Sequence, residues 1–186
     1  MSEIQSSLHI PVSTKGTHKD RSTKHSARVS IVVGVTGTRS VQKITPAQVK
    51  QLGVLLQKIY DQYSPQGECW LAHGDCEGWD EIAHAVAKDI GYKIRIFPPT
   101  QSKHRACCRG DLMESPQTYS VRNHDIVRAS DYMIVGPKNE SEALRSGTWA
   151  TYRFARKRKV PHTIIYPNGR MEGEGWRQIF NNASLS

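Results

Sequence analysis

The chain has 186 residues, enough for one domain with a substantial core and too few for two. Lysine and arginine outnumber aspartate and glutamate by 26 to 17, a formal charge of +9, which favours anionic partners such as nucleotides, nucleic acid or phosphate esters and equally suits a basic solvated surface. No apolar run approaches the roughly 20 residues of a membrane span, and no apolar core with a cleavage site opens the chain. A soluble, cytoplasmic protein with no membrane partner is therefore expected, its four cysteines (Cys69, Cys76, Cys107 and Cys108) being reduced thiols.

Residues 1–27 are rich in Ser, Thr, Lys and His without apolar periodicity, and read as a flexible basic tail. The ordered part opens with "RVSIVVGVTG", a valine-rich run ending in glycine, as expected of a strand buried on both faces of a parallel sheet. In "TPAQVKQLGVLLQKIYDQY", Thr45 is placed to cap a helix, Pro46 to occupy its first position and Gln48 to complete a capping box. Its apolar stripe is Val49, Leu52, Leu56, Ile59, Tyr60 and Tyr63. "ECWLAH" predicts a second strand, "GWDEIAHAVAKDIG" a helix stopped by Gly91, and "YKIRIF" a third strand. The polar segment 100–118, carrying Cys107 and Cys108, is long enough to suggest a functional lid or a disordered loop. A short helix over 119–129, a strand "DYMIVG", a helix from Gly147 and a last strand "VPHTIIYP" complete the series.

This alternation predicts an α/β fold: a Rossmann-like, doubly wound, mainly parallel five-stranded sheet in the order 3-2-1-4-5, with helices on both faces. The chain direction across the sheet reverses between strands 1 and 4, and ligands of such sheets bind beyond the carboxyl ends of the strands at that point. The loops meeting there are "TGTRS" and "GPKNESEALRSGTW".

In the first loop, Gly37 allows a tight turn or a close ligand approach, Thr38 offers a hydroxyl and Arg39 can fork onto phosphate. In the second, Ser146, Gly147, Thr148 and Trp149 open a helix whose first N–H groups suit an anion, with Arg145 just ahead; an ordinary cap by Ser146 or Thr148 is the plain alternative. "HGDCEGWD" follows strand 2, so His73, Gly74 and Asp75 are expected to border the same crevice, with Asp75 binding ribose hydroxyls or capping the next helix. Trp79 reads as core. Arg122 and Asn123 belong to the helix leading to strand 4. His73-x-x-Cys76 and His104-x-x-Cys107 lack the flanking pattern of a zinc finger, so neither a metal nor a cofactor is expected. Arg153, Arg156, Lys157, Arg158 and Lys159 make the late helix basic, which suits single-stranded nucleic acid or simply a solvated helix end.

Together "VGVTGTR", "LAHGDCEGWDEIAHAVAKDIG", "VRNHDIVRASDYMIVGP" and "RSGTWATYRFARKRKVP" resemble the SLOG superfamily, the Rossmann-like group that includes the LOG phosphoribohydrolases and the DNA-processing protein A domain. The similarity is greatest to the small stand-alone SLOG proteins of bacteria and phages. It spans about residues 29–167, giving a basic tail (1–27), a SLOG domain (28–167) and a C-terminal extension (168–186). The resemblance implies a nucleotide or nucleotide-derived ligand, such as ADP-ribose or a related signal, and a homodimer. LOG enzymes cleave an N-glycosidic bond with an arginine, which Arg122 matches, and with the glutamate of a P-G-G-x-G-T-x-x-E motif. Here Ala143, Leu144 and Arg145 replace Pro-Gly-Gly, and Thr151 stands in the glutamate position, on the helix face expected to look toward the bound sugar. A hydroxyl stabilises an oxocarbenium-like state poorly. The expected function is therefore nucleotide-ligand binding, as sensor or sink; the alternatives are a LOG-like N-glycosidase and a single-stranded nucleic-acid binder.

Overall fold

A computed structural model describes residues 30–174. The tail 1–27 and most of the C-terminal extension lie outside the described residues. Among the described residues seven strands form one sheet: β1 (Ile31–Gly37), β2 (Cys69–His73), β3 (Lys93–Ile96), β4 (Leu112–Met113), β5 (Tyr132–Gly136), β6 (His162–Ile165) and β7 (Met171–Glu174). Their order is β4-β3-β2-β1-β5-β6-β7. The five expected strands keep their expected order as β3-β2-β1-β5-β6, and a two-residue edge strand at one side and an antiparallel one at the other raise the count to seven. All other pairings are parallel.

The helices are α1 (Pro46–Tyr63), α2 (Trp79–Ile90), α3 (Tyr119–Ala129) and α4 (Gly147–Lys157). Helices α1 and α2 cover one face of the sheet, burying Leu52, Leu56, Ile59, Ala83 and Ala87 against Val33, Val35, Leu71 and Ile94. On the other face, Ile126 and Val127 of α3 and Ala155 of α4 pack on Ala72 and Met133. With both faces covered, strands such as β5 are buried along their whole length, hence the unbroken apolar runs of the sequence.

The capping box of α1 is present as read: Thr45 Oγ1 accepts from the Gln48 N–H at 3.2 Å and Gln48 Oε1 accepts from the Thr45 N–H at 3.2 Å. Gln48 is fully buried because its Nε2 also donates to the carbonyls of Pro137 and Ile165, tying the start of α1 to the ends of β5 and β6. Gly91 ends α2 in the left-handed conformation. No described helix is long and apolar enough to cross a membrane, and all four cysteines are free thiols.

The segment 100–118 is neither a free lid nor structureless. Its Leu112 and Met113 pair with β3, and the N–H groups of Asp111 and Glu114 donate to the carbonyls of Ile94 and Ile96. Strand β7 joins the sheet beyond Pro167, so the sheet runs on past the expected domain end.

Candidate ligand-binding cleft

At the carboxyl ends of β1 and β5 a cleft of about 380 Å³ opens between the loop after β1, the start of α3 and the loop leading into α4. Gly37 pairs with Gly136 in the β1–β5 register. A Cβ at either position would overlap the Trp79 indole, which lies across both and is fully buried. The smallness of Gly37 thus serves Trp79 packing beneath the cleft floor.

The loop after β1 is held from both sides. The Thr38 N–H donates to the Gly136 carbonyl at 2.9 Å, the Trp79 N–H donates to the Thr38 carbonyl at 3.0 Å, and Thr38 Oγ1 accepts from the Ser40 N–H at 3.1 Å. Arg39, fixed at its backbone, extends its exposed side chain with the guanidinium 5.5 Å from the Tyr119 ring centroid.

On the opposite wall Ser146 caps α4, its Oγ accepting from the Trp149 N–H at 3.4 Å. Among the described residues the N–H groups of Gly147 and Thr148, at the positive end of the helix, have no hydrogen-bond partner, and a Cβ on Gly147 would meet nothing within 4 Å. Arg145 and Lys138, both exposed, line the same wall.

At the base sits Arg122, 5 % exposed. Its Nη2 donates to Cys76 Sγ at 2.9 Å, and its Nη1 lies 3.7 Å from Asp80 Oδ2. The Nε has no partner despite being buried. Asp80 Oδ2 accepts from the N–H groups of Gly74 at 3.0 Å and Cys76 at 3.3 Å. Burial pushes the Asp80 carboxyl up, against the opposing pull of Arg122 and of those two donors. Burial, with Asp80 adding to it, also pushes the Cys76 thiol up, against the pull of Arg122.

Ten of the expected ligand residues line this cleft: Gly37, Thr38, Arg39, Arg122, Asn123, Arg145, Ser146, Gly147, Thr148 and Trp149. The other three do not. Gly74 is glycine because a Cβ there would overlap the Arg122 guanidinium. Asp75 neither faces the cleft nor caps a helix. With a left-handed φ of 58°, it accepts from Arg105 Nε at 2.7 Å and from the Cys108 N–H at 2.9 Å, clamping the 104–108 loop. His73 is fully buried, and its Nδ1 accepts from the Asp75 N–H at 3.0 Å, which leaves the proton on Nε2, 3.1 Å from His84 Nδ1. His73, His84 and Cys108 place their donor atoms within 4.8 Å of one another. That tautomer, however, joins the two rings by a hydrogen bond and offers no free lone pair at His73 Nε2 to an ion.

Thr151 also departs from expectation. It is buried, it does not line the cleft, and its Oγ1 donates to the Gly147 carbonyl at 2.9 Å within the helix. Conversely, Cys76, Asp80 and Tyr119 line the cleft without having been read as ligand residues. For Asp80 there was a signal: an acidic residue in the first turn of a helix, just after a glycine turn, is placed to gather the turn's N–H groups.

No family model matches the chain, and no curated protein matches it. Solved structures do. A molybdenum cofactor binding protein from Rippkaea orientalis is similar over 83 % of this chain and 84 % of its own, at 21 % identity and a TM-score of 0.54. The molybdenum cofactor carrier protein of Chlamydomonas reinhardtii is similar over 73 % and 76 %, at 18 % identity and a TM-score of 0.52. DNA processing protein A from Helicobacter pylori, described for its single-stranded DNA binding mode, is similar over 84 % and 74 %, at 18 % identity and a TM-score of 0.51. At these identities the likeness is one of fold, and its members share one architecture: the chain has a SLOG-type fold.

Proposed function

We propose that the protein binds a nucleotide or nucleotide-derived ligand in this cleft and acts as a sensor or sink for it. The observation that carries the reading is the convergence on one cavity of the N–H groups of Gly147 and Thr148 at the start of α4 with the buried guanidinium of Arg122. Arg39, Lys138 and Arg145 line the same space, while the one acidic lining residue, Asp80, is already engaged. An oxyanion such as a phosphate satisfies this set, with helix dipole and guanidinium acting together.

Binding is favoured over glycosidic cleavage by the state of the carboxylates. Asp80 is locked by two backbone donors, and Glu142 is turned to Arg153, whose Nη1 donates to it at 2.7 Å. Asp80 is thereby committed to holding the turn, and Glu142 does not line the cleft. The test is calorimetric titration of wild type and Arg145→Ala with nucleoside monophosphates and ADP-ribose. Loss of a charge-assisted contact is expected to cost about 1.5 to 3 kcal/mol. Unchanged affinity for a ligand that wild type binds would remove Arg145 from the site.

A further inference from the structure

We propose that Tyr119 is the stacking platform for an aromatic ring of the ligand, and that Arg39 covers this platform until the ligand arrives. The inference rests on the phosphate reading of the cleft and adds to it what else the ligand must carry: a planar base or equivalent heteroaromatic ring.

Two aromatic side chains line the cleft. Trp149 is only 4 % exposed and meets Tyr152 in a T-shaped contact, with ring centroids 5.5 Å apart, so it offers little open surface to a ligand. Tyr119 is half-buried at the start of α3, and its hydroxyl donates to the Lys103 carbonyl at 2.9 Å. That bond anchors the hydroxyl end of the side chain outside the cleft, since Lys103 is not among its lining residues, and so limits where the ring can swing.

The ring is not bare. The guanidinium of Arg122 lies 5.4 Å from its centroid and that of Arg39 5.5 Å. The two cations differ in kind. Arg122 is buried and held by Cys76 and Asp80, whereas Arg39 is exposed and has no ion-pair partner among the described residues. A cation–π contact at an exposed site is weak, while stacking of a base on an aromatic side chain is a larger contribution. A ligand carrying both a ring and a phosphate therefore trades one contact for two. Its ring takes the Tyr119 surface, and the displaced Arg39 meets the phosphate. A phosphate without a ring gains nothing from Tyr119.

The test compares two probes that share a phosphate and a sugar and differ by the base, adenosine 5′-monophosphate and ribose 5-phosphate, on the full chain by calorimetry. Wild type is expected to prefer the nucleotide. Tyr119→Ala should lower its affinity for the nucleotide by about 5- to 150-fold and leave ribose 5-phosphate within about twofold. Tyr119→Phe, which keeps the ring, should retain most of the preference, and Arg39→Ala should weaken both probes. A Tyr119→Ala protein that binds the nucleotide like wild type, or that loses both probes equally, overturns the platform while the phosphate site stands. Wild type that binds neither probe overturns both.

Discussion

The Arg122 guanidinium occupies the volume that any side chain at position 74 would need: a Cβ built on Gly74 overlaps Nη1. The position after β2 is therefore glycine for the sake of a residue 48 positions later in the chain (122 − 74). Gly74→Ala should push Arg122 off Cys76 and Asp80 and abolish nucleotide binding, at a smaller cost in stability than a clash with rigid buried atoms, because the displaced atoms end a flexible side chain. Urea unfolding and calorimetry read the two effects. A variant with full affinity would show that Arg122 is free to relocate without consequence.

The same logic applies beneath the cleft, where Trp79 lies on Gly37 and Gly136. Gly136→Ala is expected to lose about 1 to 3 kcal/mol, because the clash is with a fully buried indole and not with the far end of a flexible chain. A shift in urea midpoint without a change in slope is the expected signature.

His73 gives the fold a pH dependence. Burial, with His84 and Arg122 close by, pushes its imidazole down from 6.5 to about 3. Between those values the unfolded chain takes up a proton that the folded one refuses, so stability is full above pH 6.5 and falls as pH drops. The loss from this group alone is about 1.4 kcal/mol per pH unit, or about 2 kcal/mol by pH 5. Urea midpoints at pH 7 and pH 5, with imidazole nitrogen NMR, test this. A His73 ring that titrates near 6.5 would contradict it.

Restoring a glutamate at Thr151 should not create a glycosidase. The side chain is 2 % exposed and bonded back to Gly147, so Thr151→Glu places an unpaired carboxylate in the interior. A destabilisation of about 3 kcal/mol or more is expected, with no free base released from nucleoside monophosphates by chromatography. A stable variant that turns over would show that the start of α4 can rotate.

Nucleic acid is expected to bind only weakly. The exposed Arg156, Lys157, Arg158 and Lys159 form a solvated run of cations at the end of α4, so oligonucleotide affinity should fall steeply with salt. Submicromolar binding at physiological salt would reverse the order of the two readings.

The location of the cleft was legible because it depends on strand order alone. Apolar runs, the Thr45–Gln48 capping box and the Gly91 stop suffice to set the β/α alternation, and the alternation sets the switch point. What fills the cleft floor was less legible. Cys76, Asp80 and Tyr119 reach it only through the packing of Arg122, a long-range event with no local period. Asp75 misled because the next residue, Cys76, lines the cleft while the left-handed backbone of Asp75 turns it toward Arg105. Strand β4 is only two residues long, and β7, Met-Glu-Gly-Glu, is exposed throughout and carries no apolar run to mark it.

Those two short strands also limit how copies of the chain can meet. One border of the sheet is only two residues long, and the other carries Glu172 and Glu174 on a fully exposed strand. A second copy laid antiparallel along β7 would bring carboxylates against carboxylates, and one laid along β4 would find almost no ladder to extend. Among the described residues, then, neither border of the sheet offers a second copy a ladder that is both long and free of like charge.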